Sequence, residues 1–266
     1  MKILCLITLT LITSLFAKEA VNVHVQQRNP ELFWDKTTQT AQGPIIEISN
    51  ELFKNLKLTP AYSPVPWVRT LRAAKNGEEI FLIRHSMTDE RKSYLNPILY
   101  GFEERNVLFY SLKKRNIQIS SYEDLKKYNI GFRRGSFYFP GFMEDMKLKR
   151  TAIRTDEQLI KMLSVGRLDL VIFNYENLFQ KTLSKIKDVK QSDFQKQLYV
   201  KKYLNPRYFS IPLKSKLNKS HKTINCEMYK LRKNEFINKA FKEAGLKPLI
   251  QSYIHNISKK QSFSCK

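Results

Sequence analysis

Acidic residues are scarce in this chain, and the scarcity is its first constraint. Across 266 residues, 24 aspartates and glutamates stand against 47 lysines and arginines, a formal net charge of +23. An excess of that size attracts anions and repels cations. It does not mark a nucleic-acid arm, because the basic residues are spread along the chain in short pairs such as Lys113-Lys114, Lys201-Lys202 and Lys259-Lys260 rather than gathered in a block. Nucleic acid is therefore not an expected partner. Histidine is scarcer still: His24, His85, His221 and His255 lie far apart, none at the spacing of metal ligands, and no serine or cysteine nucleophile motif is present. No metal or other cofactor is expected. Long apolar runs are missing too, since beyond the first 17 residues no stretch approaches the roughly 20 apolar residues of a membrane-spanning helix.

The exception stands at the start. Met1 to Ala17 reads MKILCLITLTLITSLFA, with one lysine, an apolar stretch and then a small residue, the pattern of a secretory leader cleaved after about Ala17. Its apolar part, Ile3 to Phe16, is short for a retained anchor. Removing those 17 residues from 266 leaves 249, expected to be exported, soluble and long enough for two small lobes. Cysteine occurs three times. Cys5 leaves with the leader, and Cys226 and Cys265 then meet oxidising conditions, where an even count favours a disulfide. Spacing alone leaves open whether the two meet or are unrelated thiols.

What is present is organised around Trp67 to Arg91, WVRTLRAAKNGEEIFLIRHSMTDER. Val68, Leu71 and Ala74, with the stem of Arg72, recur at helical spacing, and Gly77 supplies the left-handed residue that closes a helix. Ile80 to Ile83 is an unbroken apolar run too short for a helix, which predicts a central parallel strand covered on both faces. Parallel sheets place ligands beyond the carboxyl ends of their strands. Here that position holds Arg84, His85, Ser86 and the turn through Arg91, groups that suit an anion. A solvated turn is the plainer alternative for Arg91.

Val21 to Gln26 alternates like a strand, Asn29-Pro30 breaks it, and a loop carries Phe33 and Trp34. Gly43-Pro44 opens a helix through Leu56, with Ile45, Ile48, Leu52 and Phe53 as its buried stripe. Thr59 to Ser63 predicts a short strand and, after a linker to Pro97, Val107 to Tyr110 another. Ser120 and Glu123 form a capping-box pattern for a helix to about Lys127. Asn129 to Phe132 predicts a strand that breaks into Arg133-Arg134-Gly135-Ser136 ahead of another helix, where amides and a hydroxyl can face an anion. Thr155 and Gln158 repeat the capping box before a helix through Leu159, Met162 and Leu163 that Gly166 ends. Setting Gly77 on Gly166 places Ala74 over Leu163 and Leu82 over Val171, so two similar α/β lobes are expected. Tyr199 to Leu204 and Tyr208 to Pro212 read as extended, and Ser220 to Glu243 as one helix stopped by Gly245.

Several of these pieces together resemble a known family. They are the leader, Pro66-Trp67 with Arg69, the helix ending at Gly77, and Ser86-Met87-Thr88-Asp89-Glu90-Arg91 followed by Tyr94 and Pro97 to Tyr100. They continue with Ile130-Gly131 leading to Gly135-Ser136, and with Gly166-Arg167-Leu168-Asp169 ahead of Leu170 to Phe173. In this order they resemble the bacterial extracellular solute-binding proteins of family 3, periplasmic receptors that deliver polar amino acids to ABC transporters. The resemblance implies an α/β, two-lobed periplasmic binding protein fold of type II, each lobe a central sheet flanked by helices, with two hinge crossings. Lobe 1 would be 18–107 plus 207–266 and lobe 2 would be 108–206. It also implies that Arg91 grips a ligand carboxylate, that Ser86 hydrogen-bonds the ligand from the same turn, and that Ser136 donates to the carboxylate from the other lobe. Trp67 and either Phe33 or Trp34 correspond loosely to aromatic cleft walls; Arg84, Phe137, Asn174 and Tyr175 complete the candidate site. Two positions depart from the pattern: Ile80 stands where an aspartate is usual, and Asn174 where the family has an acid for the ligand's ammonium. The second departure weighs against an ordinary α-amino acid.

The resemblance thus implies a monomeric periplasmic receptor for a small carboxylate-bearing ligand, an amino acid or related anion, serving an ABC permease of the inner membrane without chemistry. Two other classes compete. An exported dehydratase-like enzyme on the same fold needs a positioned acid or base, for which only Glu176 or His85 is in place. A basic protein that holds a polyanion or a membrane surface needs only the spread of charge.

Overall fold

Ile80 to His85 forms a strand with every residue buried, as its unbroken apolar run requires. In the computed structural model, which describes residues 20–251 and Cys265, this strand lies inside a mixed sheet. The leader expected at residues 1–17 lies outside the described residues. The first part of the chain supplies β1 (Ala20–Val25), β2 (Phe33–Asp35), β3 (Thr40–Gln42), α1 (Pro44–Asn55), β4 (Thr59–Pro64), α2 (Trp67–Asn76), β5 (Ile80–His85), α3 (Asp89–Lys92) and β6 (Leu95–Leu112). There follow β7 (Asn129–Arg133), β8 (Lys149–Ile153), α4 (Asp156–Ser164), β9 (Leu170–Phe173), α5 (Glu176–Leu183), β10 (Phe194–Lys196), β11 (Lys201–Pro212), α6 (His221–Lys233) and α7 (Phe236–Glu243). The strand order is β4-β1-β5-β11-β6-β9-β7-β8, with β10 also on β6. β5 runs parallel to β1 on one side and antiparallel to β11 on the other.

The chain has two lobes, and the period of two along the strands shows why. On β5, Phe81 and Ile83 enter a core with Val23, Ile48, Phe53, Phe209, Ile224 and Phe241, while Ile80 and Leu82 face Ala73, Ala74 and Leu95. On the far half of β6, Val107 and Phe109 join Ile130, Phe142 and Ile172 on one face. Leu108 and Tyr110 join Leu159, Val171 and Phe179 on the other. Each lobe is thus a sheet with apolar packing on both faces. Among the described residues only β6 and β11 run through both, paired antiparallel from Leu95↔Pro212 to Val107↔Lys201.

Gly77 ends α2 at φ 82, the left-handed cap that glycine adopts without steric cost. The buried face of α2 differs from the periodic reading: Thr70, Ala73 and Ala74 face inward, and Val68 is exposed. Other expectations are corrected by local chemistry. At residues 120–127 the Asp124 carboxylate accepts from the N–H groups of Ser120 and Ser121, which leaves only a 3-10 turn at Glu123–Lys127. The helix expected after Ser136 does not form; turns and bends fill the chain to Lys147. The single helix over Ser220 to Glu243 is two, because Glu235 takes φ 63 and the Asn234 side chain caps Phe236 N at 3.2 Å. Capping by Thr155 is as expected, its hydroxyl accepting from Gln158 N at 3.2 Å. The sulfurs of Cys226 and Cys265 are joined, with Cα atoms 5.4 Å apart.

Candidate functional site

The carboxyl ends of β1 and β5 face the turn after β7 and the end of β9 across a cleft of about 1020 Å³. Gln26 Nε2 donates to Arg84 O at 2.7 Å and so ties the first two strand ends together. Arg84 itself takes φ 54, a left-handed conformation that is uncommon for a residue other than glycine and that clusters at functional sites. It turns the chain sharply out of β5 towards Ser86.

Arg91 is buried on the one-turn helix α3, whose first N–H groups are capped by Thr88 Oγ1, 3.2 Å from Arg91 N. Its guanidinium reaches both sides of the cleft: Nη1 donates to Ser86 O at 2.6 Å and Nη2 to Gly135 O at 2.9 Å. Trp67 Nε1 donates to the same Gly135 oxygen at 3.1 Å, and the Arg91 guanidinium lies 5.2 Å from the Trp67 ring centroid. A single carbonyl of the second lobe therefore accepts two bonds from the first. Gly135 takes φ 73, which presents that carbonyl without a side chain in the way. Burial pulls the Arg91 pKa down, yet a guanidinium stays charged, and among the described residues no carboxylate pairs with it.

Arg84 is the opposite case. Its Nε and Nη2 donate to Glu31 at 2.6 and 2.9 Å, a bidentate fork that satisfies its charge within the first lobe. Burial alone would lower its pKa, but Glu31 outweighs that and raises it. Arg84 lines the cleft, and this fork fastens β5 to the turn after β1.

Glu103 forms a second hub. It accepts from Arg105 Nε at 3.0 Å and lies 3.6 Å from Arg207 Nε, and the Tyr175 hydroxyl donates to it. Burial pushes its carboxyl up, but Arg207, Arg105 and Arg84 pull it down to about 2. Arg133, at the end of β7, holds Asp156 at 2.7 Å. His85 is buried under the cleft, with Nδ1 3.1 Å from Ser86 O and Nε2 2.8 Å from Ser210 Oγ. Burial and the Arg91 charge lower its pKa to about 3, so it stays neutral and braces the carbonyl that Arg91 holds.

Eight of the nine ligand-binding residues named from sequence line the cleft: Trp67, Arg84, Ser86, Arg91, Ser136, Phe137, Asn174 and Tyr175. Ser86 Oγ accepts from Arg207 Nη1 at 2.9 Å and lies 3.0 Å from the Asn205 side-chain amide. Ser136 N is engaged by Arg133 O at 3.1 Å in the turn. Asn174 Nδ2 donates to Phe137 O at 3.1 Å, while its Oδ1 is buried without a partner. Trp34 lies elsewhere. It sits on the β2–β3 hairpin against the first core, with Gln27 between it and the cleft, bonded to its backbone at 3.0 and 3.2 Å. The sequence reading missed Arg28, Glu31, Glu103, Arg105, Arg133 and Arg207. Arg28 and Glu31 were findable, since they follow β1 beyond its carboxyl end as Ser86 follows β5. Of the groups offered for catalysis, His85 has both ring nitrogens engaged, and Glu176 pairs with Lys196 at 3.0 Å away from this cleft.

No protein-family model matches the chain, and no curated protein matches it. Solved structures do. Tv2483 bound to L-arginine is 17% identical over 88% of this chain and 94% of that one, with a TM-score of 0.63. A histidine kinase sensor domain with similarity to periplasmic binding proteins is 12% identical over 86% and 98%, at 0.64. The amino acid ABC transporter substrate-binding protein AbpA from Streptococcus pneumoniae, bound to L-arginine, is 15% identical over 85% and 94%, at 0.59. The fold is that of the two-lobed periplasmic binding proteins. The likeness is one of architecture; in this chain the cleft acids Glu31, Glu103 and Asp156 are each held by an arginine of the chain itself.

Proposed function

We propose that the protein is an exported receptor that closes two lobes, 18–107 plus 207–266 and 108–206, over a small carboxylate-bearing solute and passes it on unchanged. The observation that carries this reading is Arg91. A buried cation without a paired counter-ion is unfavourable unless something supplies the missing charge; the Arg91 guanidinium, with Tyr94 beside it and the Glu90 charge nearby, donates to two neutral carbonyls, one from each lobe. A carboxylate entering between them meets a planar fork already aligned for two parallel hydrogen bonds. Ser86 and Ser136 add neutral donors, and Trp67 covers the guanidinium face.

A solute taken by this mechanism arrives by capture and leaves by opening, which suits delivery to an ABC permease. Calorimetry with small carboxylic acids tests it. Arg91→Ala, and also Arg91→Lys, which lacks the fork, are expected to weaken binding by about thirtyfold to several thousandfold, the equivalent of about 2–5 kcal/mol. Ser136→Ala is expected to lose only about 1 kcal/mol. Wild-type affinity in either folded Arg91 variant would show that the carboxylate binds elsewhere.

A further inference from the structure

Six arginines line the cleft, at positions 28, 84, 91, 105, 133 and 207. Their only ion-pair partners among the described residues are Glu31, Glu103 and Asp156. Three positive charges remain, and a ligand with one carboxylate and one ammonium would remove none of them net. Arg28 is where the excess is least answered. Its backbone is fixed in a tight turn, with Arg28 N donating to Leu32 O at 2.6 Å and Leu32 N to Arg28 O at 3.1 Å. Its guanidinium has no hydrogen bond or ion pair among the described residues. Desolvation and the nearby Arg84, Arg133 and Arg207 press its pKa down to about 9, with only Asp156 opposing them, and that carboxylate is already held by Arg133. Arg207 adds a second unused donor, its buried Nη2 being without a partner.

We propose that Arg28 is a second anion-binding group of the cleft and that the solute is a small acid with two carboxylates, one on Arg91 and the other on Arg28. This rests on the carboxylate-receptor reading and narrows it. Such a ligand lowers the excess of three charges to one, where a monocarboxylate leaves Arg28 facing other arginines. A cationic solute is disfavoured by the excess, since Glu31, Glu103 and Asp156 are already paired with arginines. The unpartnered Asn174 Oδ1 accepts equally from a hydroxyl, an amide or an ammonium, so it does not require an α-amino group.

The test uses matched pairs differing by one carboxylate: L-glutamate with L-glutamine, L-aspartate with L-asparagine, succinate with succinamate. In calorimetry on the full exported chain, at least one acid is expected to bind about tenfold or more tighter than its amide twin, the scale of one charge-assisted contact. Arg28→Gln is expected to remove that ratio while leaving amide binding unchanged, and Arg28→Lys to keep part of it; thermal unfolding of both checks that they fold. Equal affinity within every pair, or a ratio that survives Arg28→Gln, overturns the inference while the carboxylate reading stands, provided binding is still lost in Arg91→Ala. If no member of the panel binds, both fall.

Discussion

Glu31 decides what Arg84 does. Arg84 and Arg91 lie seven positions apart, at the end of a buried strand and on the turn beyond it, yet one is neutralised at 2.6 Å and the other has no paired carboxylate among the described residues. The prediction separates them: Glu31→Gln leaves Arg84 buried and unpaired, a loss of roughly 3 kcal/mol in stability, or about 6–12 °C in melting temperature, whereas Arg91→Ala acts chiefly on affinity. His85 gives the fold a pH dependence. Its proton affinity is depressed from 6.5 to about 3, so below pH 6.5 the unfolded chain takes up a proton that the folded chain refuses. Stability is therefore complete above 6.5 and falls with acidification, by about 3 kcal/mol from this residue between pH 7 and pH 4. Glu103, held down to about 2, acts in the same direction at lower pH. Melting curves of His85→Gln should be flatter between pH 7 and pH 4 than those of the wild type; equal slopes would remove His85 as the cause. At this scale the sequence was legible where a residue follows a strand in a parallel sheet, as Ser86 and Arg91 do. It was silent on pairing, because Glu31 meets Arg84 across 53 positions and nothing local links them.

Elements were legible where period and punctuation agree. Gly77, Thr155 and Pro44 each supply a backbone preference that the fold uses unaltered, and α2, α4 and α1 begin or end beside them. Failure came where a polar side chain competes for the backbone. Asp124 draws in the amides that a Ser120-capped helix would have ordered, and Asn234 with Glu235 splits the C-terminal helix at a position where apolar periodicity continues unbroken. Short strands such as β2, β3, β8 and β10 carry too few residues for alternation to register. The C-terminal helices bring a further expectation. The Cys226–Cys265 bridge closes a separation of 39 residues and anchors the end of the chain to α6. In the chain-entropy account a loop of that length adds up to about 4 kcal/mol. Replacing both cysteines by serine should lower stability accordingly and steepen the denaturant slope as the unfolded chain expands, without altering ligand affinity, since neither residue lines the cleft. A changed affinity would place the C-terminal tail at the site.

At the scale of the molecule, what matters is that only β6 and β11 pass between the lobes, and that they do so as one antiparallel ladder. Motion about a pair of strands requires a place where the ladder yields. The pairing shifts register between Arg207 and Tyr208, opposite Gly101 and Leu99, and such irregularities bend a strand without breaking its neighbours. Across the cleft Gly135 O takes one bond from Trp67 and one from Arg91, Arg105 donates to Phe137 O at 3.2 Å and the Tyr175 hydroxyl donates to Glu103, the neutral bonds contributing about 1 kcal/mol net each. A ligand bridging Arg91 and the second lobe adds to these contacts and so shifts the balance toward the closed form. Small-angle scattering should accordingly show a smaller radius of gyration at saturating ligand than without it. Trp67→Phe, which keeps the ring and removes one of the two bonds to Gly135 O, should expand the unliganded protein while leaving the liganded profile compact. Identical scattering with and without ligand, in a sample whose binding calorimetry confirms, would mean that the lobes are fixed and the solute enters by another route.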